Sequence, residues 1–193
     1  MRPLRRLATA VCACATFVGL AMAFMIPVGM LTGDATPAWT FSELFTIAVA
    51  LVGGGCFVVW LYRARRNLDA LPGTDPLWST SWTIGSWFVP IANLVQPGLV
   101  VSDVAKETVP ASDERDRRRI VTLARAWWIV SIVAVLMLGE LADTTRSHGP
   151  LVIYLTAGLV LAGAAGCVRL VREVSAAQLR RFEPLPDHAS TGS

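Results

Sequence analysis

Charge is what this 193-residue sequence has least of, with 16% of residues being Asp, Glu, Lys or Arg. Soluble domains carry about a quarter. With 54% hydrophobic residues and a mean hydropathy of +0.54, that scarcity excludes an ordinary soluble domain and points to a membrane protein whose first partner is the lipid bilayer. Histidine is nearly missing as well. His148 falls in a short loop and His188 in a polar tail, which puts them out of reach of a common site. There is no Walker loop, no H-E-x-x-H and no G-x-S-x-G. The expectation is a non-enzymatic protein with no cofactor and no bound metal. Cysteines are few, and Cys12, Cys14, Cys56 and Cys167 all lie inside apolar runs, where a thiol packs as a small hydrophobe. Cys12 and Cys14 are two apart and so on opposite helix faces, and neither a metal pair nor a disulfide framework is indicated. The net charge of +3 is small. Its arginine clusters lack the polar surroundings of a nucleic-acid binder, so no nucleic-acid partner is expected.

What is present is four long apolar runs. The first, residues 7–31, follows Arg2, Arg5 and Arg6. Ala21-Met22-Ala23 has the look of a signal cleavage site, but the run continues well beyond it, so a permanent span is expected, kinked near Pro27. The second, 44–62, contains Gly53, Gly54 and Gly55 and ends on Trp60-Leu-Tyr followed by Arg63, Arg65 and Arg66. The third is 120–141 and the fourth 151–168, the latter with Gly158, Ala162 and Gly166 at intervals of four. A helix of some 20 residues matches a hydrocarbon core of about 30 Å. The small-residue repeat lets helices approach closely. Residues 1–6 read as a cytoplasmic N-terminus, 7–172 as one membrane domain, and 173–193 as a cytoplasmic tail with a disordered end.

A fifth apolar stretch, 81–101 (SWTIGSWFVPIANLVQPGLVV), is long enough to span but is not expected to. If it does not cross, both termini are cytoplasmic and Arg146 is the one basic residue of 17 on the outside. If it crosses, Lys106 and Arg115 to Arg119 move outside, against the preference of positive residues for the cytoplasm. Thr83, Ser86, Pro90, Asn93 and Pro97 recur at intervals of three and four, one face of a helix whose other faces are apolar. The stretch is therefore read as a re-entrant or interfacial amphipathic helix. Residues 102–119, which follow, read as a cytosolic linker whose mixed-charge end, 112–119, is a solvated helix start. The fold class is all-α: four transmembrane helices in two hairpins, with this element between them.

The best polar set is Trp60, Arg63, Asn67, Trp87, Pro90, Asn93 and Pro97. Trp60, Arg63 and Asn67 share a helix face, and Asn93 sits in an apolar stretch where its amide needs a partner. Arg63 or Asn67 is expected to satisfy Asn93 or the carbonyls freed by Pro90 and Pro97, as structural glue or as the wall of a pocket for a lipid headgroup or solute.

The residues around this set resemble a known family. They are Trp60-Leu-Tyr-Arg63-Ala-Arg-Arg-Asn67-Leu, the block Trp82-Thr-Ile-Gly-Ser-Trp87-Phe88-Val-Pro90-Ile-Ala-Asn93-Leu-Val-Gln-Pro97, and Trp127-Trp128. They resemble an uncharacterised bacterial family, common in actinobacteria, known as domain of unknown function 4328. The resemblance covers residues 51–171 and departs at Gly98, where the family often has an aromatic residue. It implies a multi-span protein of the bacterial plasma membrane and supplies no activity. Self-association or assembly with another membrane protein is the expected role; the alternative is a small transport or channel-like protein using 81–101.

Overall fold

The computed structural model describes residues 2–32, 37–89, 92–141 and 149–182, with side chains for all of these except 2–3, 30–32 and 37–40. Asp34, Pro90, Asp143, Arg146, His148 and His188 lie outside the described residues. The elements are α1 (Arg2–Thr32), α2 (Pro37–Leu68), α3 (Trp82–Gly85), a 3₁₀ turn (Ala92–Leu94), α4 (Gln96–Thr108), α5 (Glu114–Leu141) and α6 (Pro150–Phe182). No strand occurs among the described residues. Among the described residues four helices are long and apolar enough to cross a membrane: Leu4–Gly29, Phe41–Leu68, Glu114–Leu141 and Pro150–Phe182. The chain is an all-α membrane protein. Backbone groups in hydrocarbon must be satisfied internally, which a helix does within itself. α1 runs through Pro27 unbroken.

α1 packs against α2 on one side and α6 on the other, and α6 also packs against α5. Small residues set how closely they meet. A β-carbon at Gly19 would come within 2.5 Å of the Ala164 β-carbon, and one at Gly53 within 2.8 Å of that of Cys14. Of the repeat on α6, Gly166 lies against Trp127, but Gly158 has nothing within 4 Å. The close seam between α1 and α6 thus runs through Gly19 and Ala164 rather than through Gly158.

The helix ends are sorted by three contacts. Trp60 Nε1 donates to Ser175 Oγ at 3.0 Å, Gln178 Nε2 to the Ala64 carbonyl at 2.9 Å, and Arg119 pairs with Glu173 at 3.0 Å. The C-terminal ends of α2 and α6 therefore lie level with the N-terminal end of α5. The Cys12 thiol reaches the Val168 carbonyl at 3.8 Å, which brings the start of α1 to the same end. We call this the arginine-rich end. Residues 69–113 leave it at Leu68 and return to it at Glu114, so the connection begins and ends on one side.

Two local expectations are corrected. The stretch 81–101 is not one helix. It is the single turn α3, a chain of i→i+3 bonds (Trp87 N to Ile84 O, Phe88 N to Gly85 O), the 3₁₀ turn, and then the start of α4. Pro97 sits in the first turn of α4, where its missing N–H costs nothing. Nor is the first part of 102–119 a linker: α4 runs through Thr108 with ten of its 13 residues buried, while the charged run that follows is the exposed start of α5, a solvated helix start. The apolar pattern of α4 is too short to announce a helix, and the carboxylates that suggest solvent are taken up by distant partners. Beyond residue 168, α6 continues unbroken to Phe182.

Candidate functional site

The backbones of α2 and α5 stay apart, and α4 fills the space between their arginine-rich ends. It runs antiparallel to α5, with Gly98 against Trp128 at one end and Glu107 paired to Arg117 at the other. Val100, Val101 and Val104 are fully or almost fully buried; each contributes roughly 1.5–3 kcal/mol by leaving water. The other walls are aromatic. Phe57 meets Trp60, Trp87 and Trp127 at ring separations of 5.4, 5.9 and 5.3 Å, and Trp87 meets Trp128 edge-on at 5.7 Å. Pairs of this kind add about 0.5–1.5 kcal/mol beyond area burial. They join α2, the central segment and α5 around one hydrophobic floor.

Above that floor lies a layer of buried polar groups. Gln178, 1% exposed, is its hub. Its Nε2 donates to the Ala64 carbonyl at 2.9 Å and to Thr108 Oγ1 at 3.3 Å, while its Oε1 accepts from Asn67 Nδ2 at 3.2 Å. Arg181 Nη1 donates to the Glu107 carbonyl at 3.0 Å and its Nη2 to the Pro72 carbonyl at 2.8 Å. One amide and one guanidinium on α6 thus tie together α2, the loop after it and the end of α4.

Two carboxylates one helical turn apart on α4 hold that loop from the other side. Glu107 Oε2 accepts from the Asp75 N–H at 3.1 Å, and its Oε1 pairs with Arg117 at 2.6 Å and Lys106 at 3.3 Å. Burial pushes this carboxyl up. The Asp75 N–H, Lys106 and Arg117 outweigh burial and hold it below the usual carboxylate range. Asp103 has weaker help. Its Oδ2 accepts from the Trp78 N–H at 3.4 Å and its Oδ1 has no partner among the described residues. Burial therefore raises this carboxyl, with Glu107 adding repulsion and the Trp78 and Leu77 N–H groups only partly offsetting it. Arg65, also buried, donates from Nε to the Trp78 carbonyl at 2.8 Å and pairs with Asp69 at 2.6 Å.

The residues singled out by sequence divide cleanly. Trp60 and Asn67 enter the buried layer through Ser175 and Gln178. Trp87 joins the aromatic floor, with its Nε1 unpartnered. Pro97 is buried at the start of α4. Arg63 is exposed, and the Asn93 side chain, half-buried, makes no hydrogen bond among the described residues. The expected pairing of Asn93 with Arg63 or Asn67 is thus not what forms: Asn67 points to α6 instead. Pro90 is outside the described residues. Sequence reasoning missed Asp103, Glu107, Ser175, Gln178 and Arg181. A signal existed for two of them, since Val171, Val174, Ser175 and Gln178 continue the buried face of α6 at intervals of three and four.

Among the described residues no group of three metal-ligating side chains occurs. The sequence profile of the family described as Domain of unknown function (DUF4328) matches residues 33–176. The chain belongs to that family. No curated protein and no solved structure matches the chain. The DUF4328 region takes in α2 to α5 and α6 as far as residue 176, so it holds the aromatic floor and both carboxylates of α4. The hub residues Gln178 and Arg181, and all of α1, lie beyond it.

Proposed function

We propose that this DUF4328 protein is a non-enzymatic component of a bacterial plasma membrane, with both termini cytoplasmic, that works by associating with a second copy or with another membrane protein. The reading is carried by the surface left uncovered where the central segment bridges α2 and α5. That segment buries Thr83 and Ser86 inward but turns Phe88, Leu94 and Val95 outward, at 77%, 58% and 59% exposure. Leu51 and Val52 on α2 and Val135 and Leu136 on α5 are exposed too, and Gly54, Gly55 and Gly139 have open space beside them. In each spanning window only 17–22% of residues are buried within the chain. Helices associate in membranes through close van der Waals fit, and a partner helix packed on these exposed apolar residues gains that fit.

A photo-crosslinking residue at Leu94, in cells and in nanodiscs, tests the reading. Adducts with a second copy or with one discrete membrane protein, lost in Phe88→Ser, are expected. Labelled lipid alone, from a chain that is monomeric in nanodiscs, would overturn it.

One observation favours the alternative, a small transport or channel-like protein using residues 81–101. Ser86 Oγ, Trp87 Nε1, Gln96 Oε1 and Asp103 Oδ1 are buried without partners among the described residues, all in or beside this segment. Solute flux in proteoliposomes that is abolished by Asp103→Asn would make this the better account.

A further inference from the structure

A groove runs along the seam of α1 and α6, away from α4. Its outer part, about 700 Å³, is lined among others by Arg5, Ala13, Thr16 and Arg172. A second part, about 570 Å³, shares Thr16 and Arg172 and continues between Leu20 and Leu161. The two parts form one channel with an arginine end and an aliphatic end.

The polar side chains along its wall are already committed elsewhere. Thr9 Oγ1 donates to the Arg5 carbonyl at 3.0 Å, and Thr16 Oγ1 to the Cys12 carbonyl at 2.8 Å. Ser175 Oγ accepts from Trp60. The wall they present is therefore methyl and methylene. Glu173, on the rim of the second part, is engaged by both Arg119 and Arg169, at 3.0 and 2.9 Å. Arg5 and Arg172, by contrast, have no carboxylate partner among the described residues.

We propose that this groove is a binding site for one anionic phospholipid, its phosphate held by Arg172 and Arg5 and an acyl chain lying toward Leu20 and Leu161. Charge complementarity selects the headgroup: two guanidiniums with no carboxylate partner among the described residues, Arg172 meeting only the Cys12 thiol of the groove wall, stand beside an apolar trough and match a phosphodiester, which guanidinium binds by paired N–H bonds. Length selects a lipid over a free anion. From Arg172 to Leu161 is about 16 Å at helical rise, half of a hydrocarbon core of about 30 Å, which is the reach of one leaflet. The site lies on a different face from the flank between α2 and α5 and stands independently of the association reading.

Native mass spectrometry of the full chain in detergent tests it, titrating phosphatidylglycerol, phosphatidylcholine with the same acyl chains, and inorganic phosphate. Phosphatidylglycerol should be retained preferentially. The preference should fall about fivefold for each arginine lost in Arg172→Gln and Arg5→Gln, fall less in Arg172→Lys, which keeps the charge but not the paired N–H bonds, and persist in Arg125→Gln, an exposed arginine on α5. Ala13→Phe, which fills the trough and leaves both arginines, should lose the lipid with an unchanged melting temperature. Equal retention of the two lipids, insensitivity to both arginine variants, or inorganic phosphate binding that competes fully while Ala13→Phe has no effect would each overturn the proposal.

Discussion

The indole of Trp128 occupies the space that a side chain at Gly98 would fill, and its Nε1 donates to the Leu94 carbonyl at 3.0 Å. One residue on α5 thereby fixes both the close approach of α4 and the end of the 3₁₀ turn before it. Gly98→Ala would force the ring, not a flexible chain end, to move. A loss of about 1–3 kcal/mol is expected, read as a lowered thermal midpoint in detergent. Gly98→Ala combined with Trp128→Leu should recover part of it; no recovery would mean that the ring is not the obstacle.

Gln178 is expected to matter more than any single charged residue of the tail. Gln178→Leu leaves the Ala64 carbonyl and the Asn67 amide without their buried partner, at a cost of roughly 1–3 kcal/mol. Arg180→Gln, two residues along α6 and exposed, should change stability little. Equal effects for the two would argue against a hub.

Glu107 and Asp103 give stability opposite dependences on pH. The Glu107 carboxyl lies below its ordinary value of 4.5 in the folded protein, so its contribution is present above that pH and is lost as pH falls through the lower folded value. The Asp103 carboxyl lies above its ordinary 3.8. The folded state then holds the proton longer, and stability from this group declines as pH rises from 3.8 through the folded value. Glu107→Gln should cost about 1.5–3 kcal/mol at neutral pH and remove the acid-side loss. Asp103→Asn should be neutral or stabilising at neutral pH and remove the decline. Thermal midpoints followed from about pH 2 to 8 for the three proteins check both signs.

Asn93 should be tolerant. Its side chain makes no hydrogen bond among the described residues, so Asn93→Leu is expected to shift stability by no more than about 0.5 kcal/mol. A drop well beyond that would show a partner for the amide that the present geometry does not contain.

The spans were legible because a run of some 20 apolar residues has one cheap solution in a bilayer. The placement of arginines also set the connection between α2 and α5 on one side. The aromatic floor was half legible: Trp60, Trp87 and Trp127 stand out as residues, but nothing local says that Phe57 joins them. Gly166 and Gly158 belong to one repeat, yet only Gly166 meets another helix.

By itself, then, the sequence determined that this is a four-span helical membrane protein whose middle apolar stretch does not add a fifth crossing, because hydropathy and charge are sums over a segment and need no neighbours. Tertiary structure alone decided that residues 96–108 form a buried helix, that Asn67 turns to Gln178 rather than to Asn93, and that Glu107 is paired while Asp103 keeps an unpartnered oxygen. Those outcomes depend on which groups arrive from residues 64, 75, 78, 117 and 178. A carboxylate in a short amphipathic run looks the same whether water or a distant N–H will meet it.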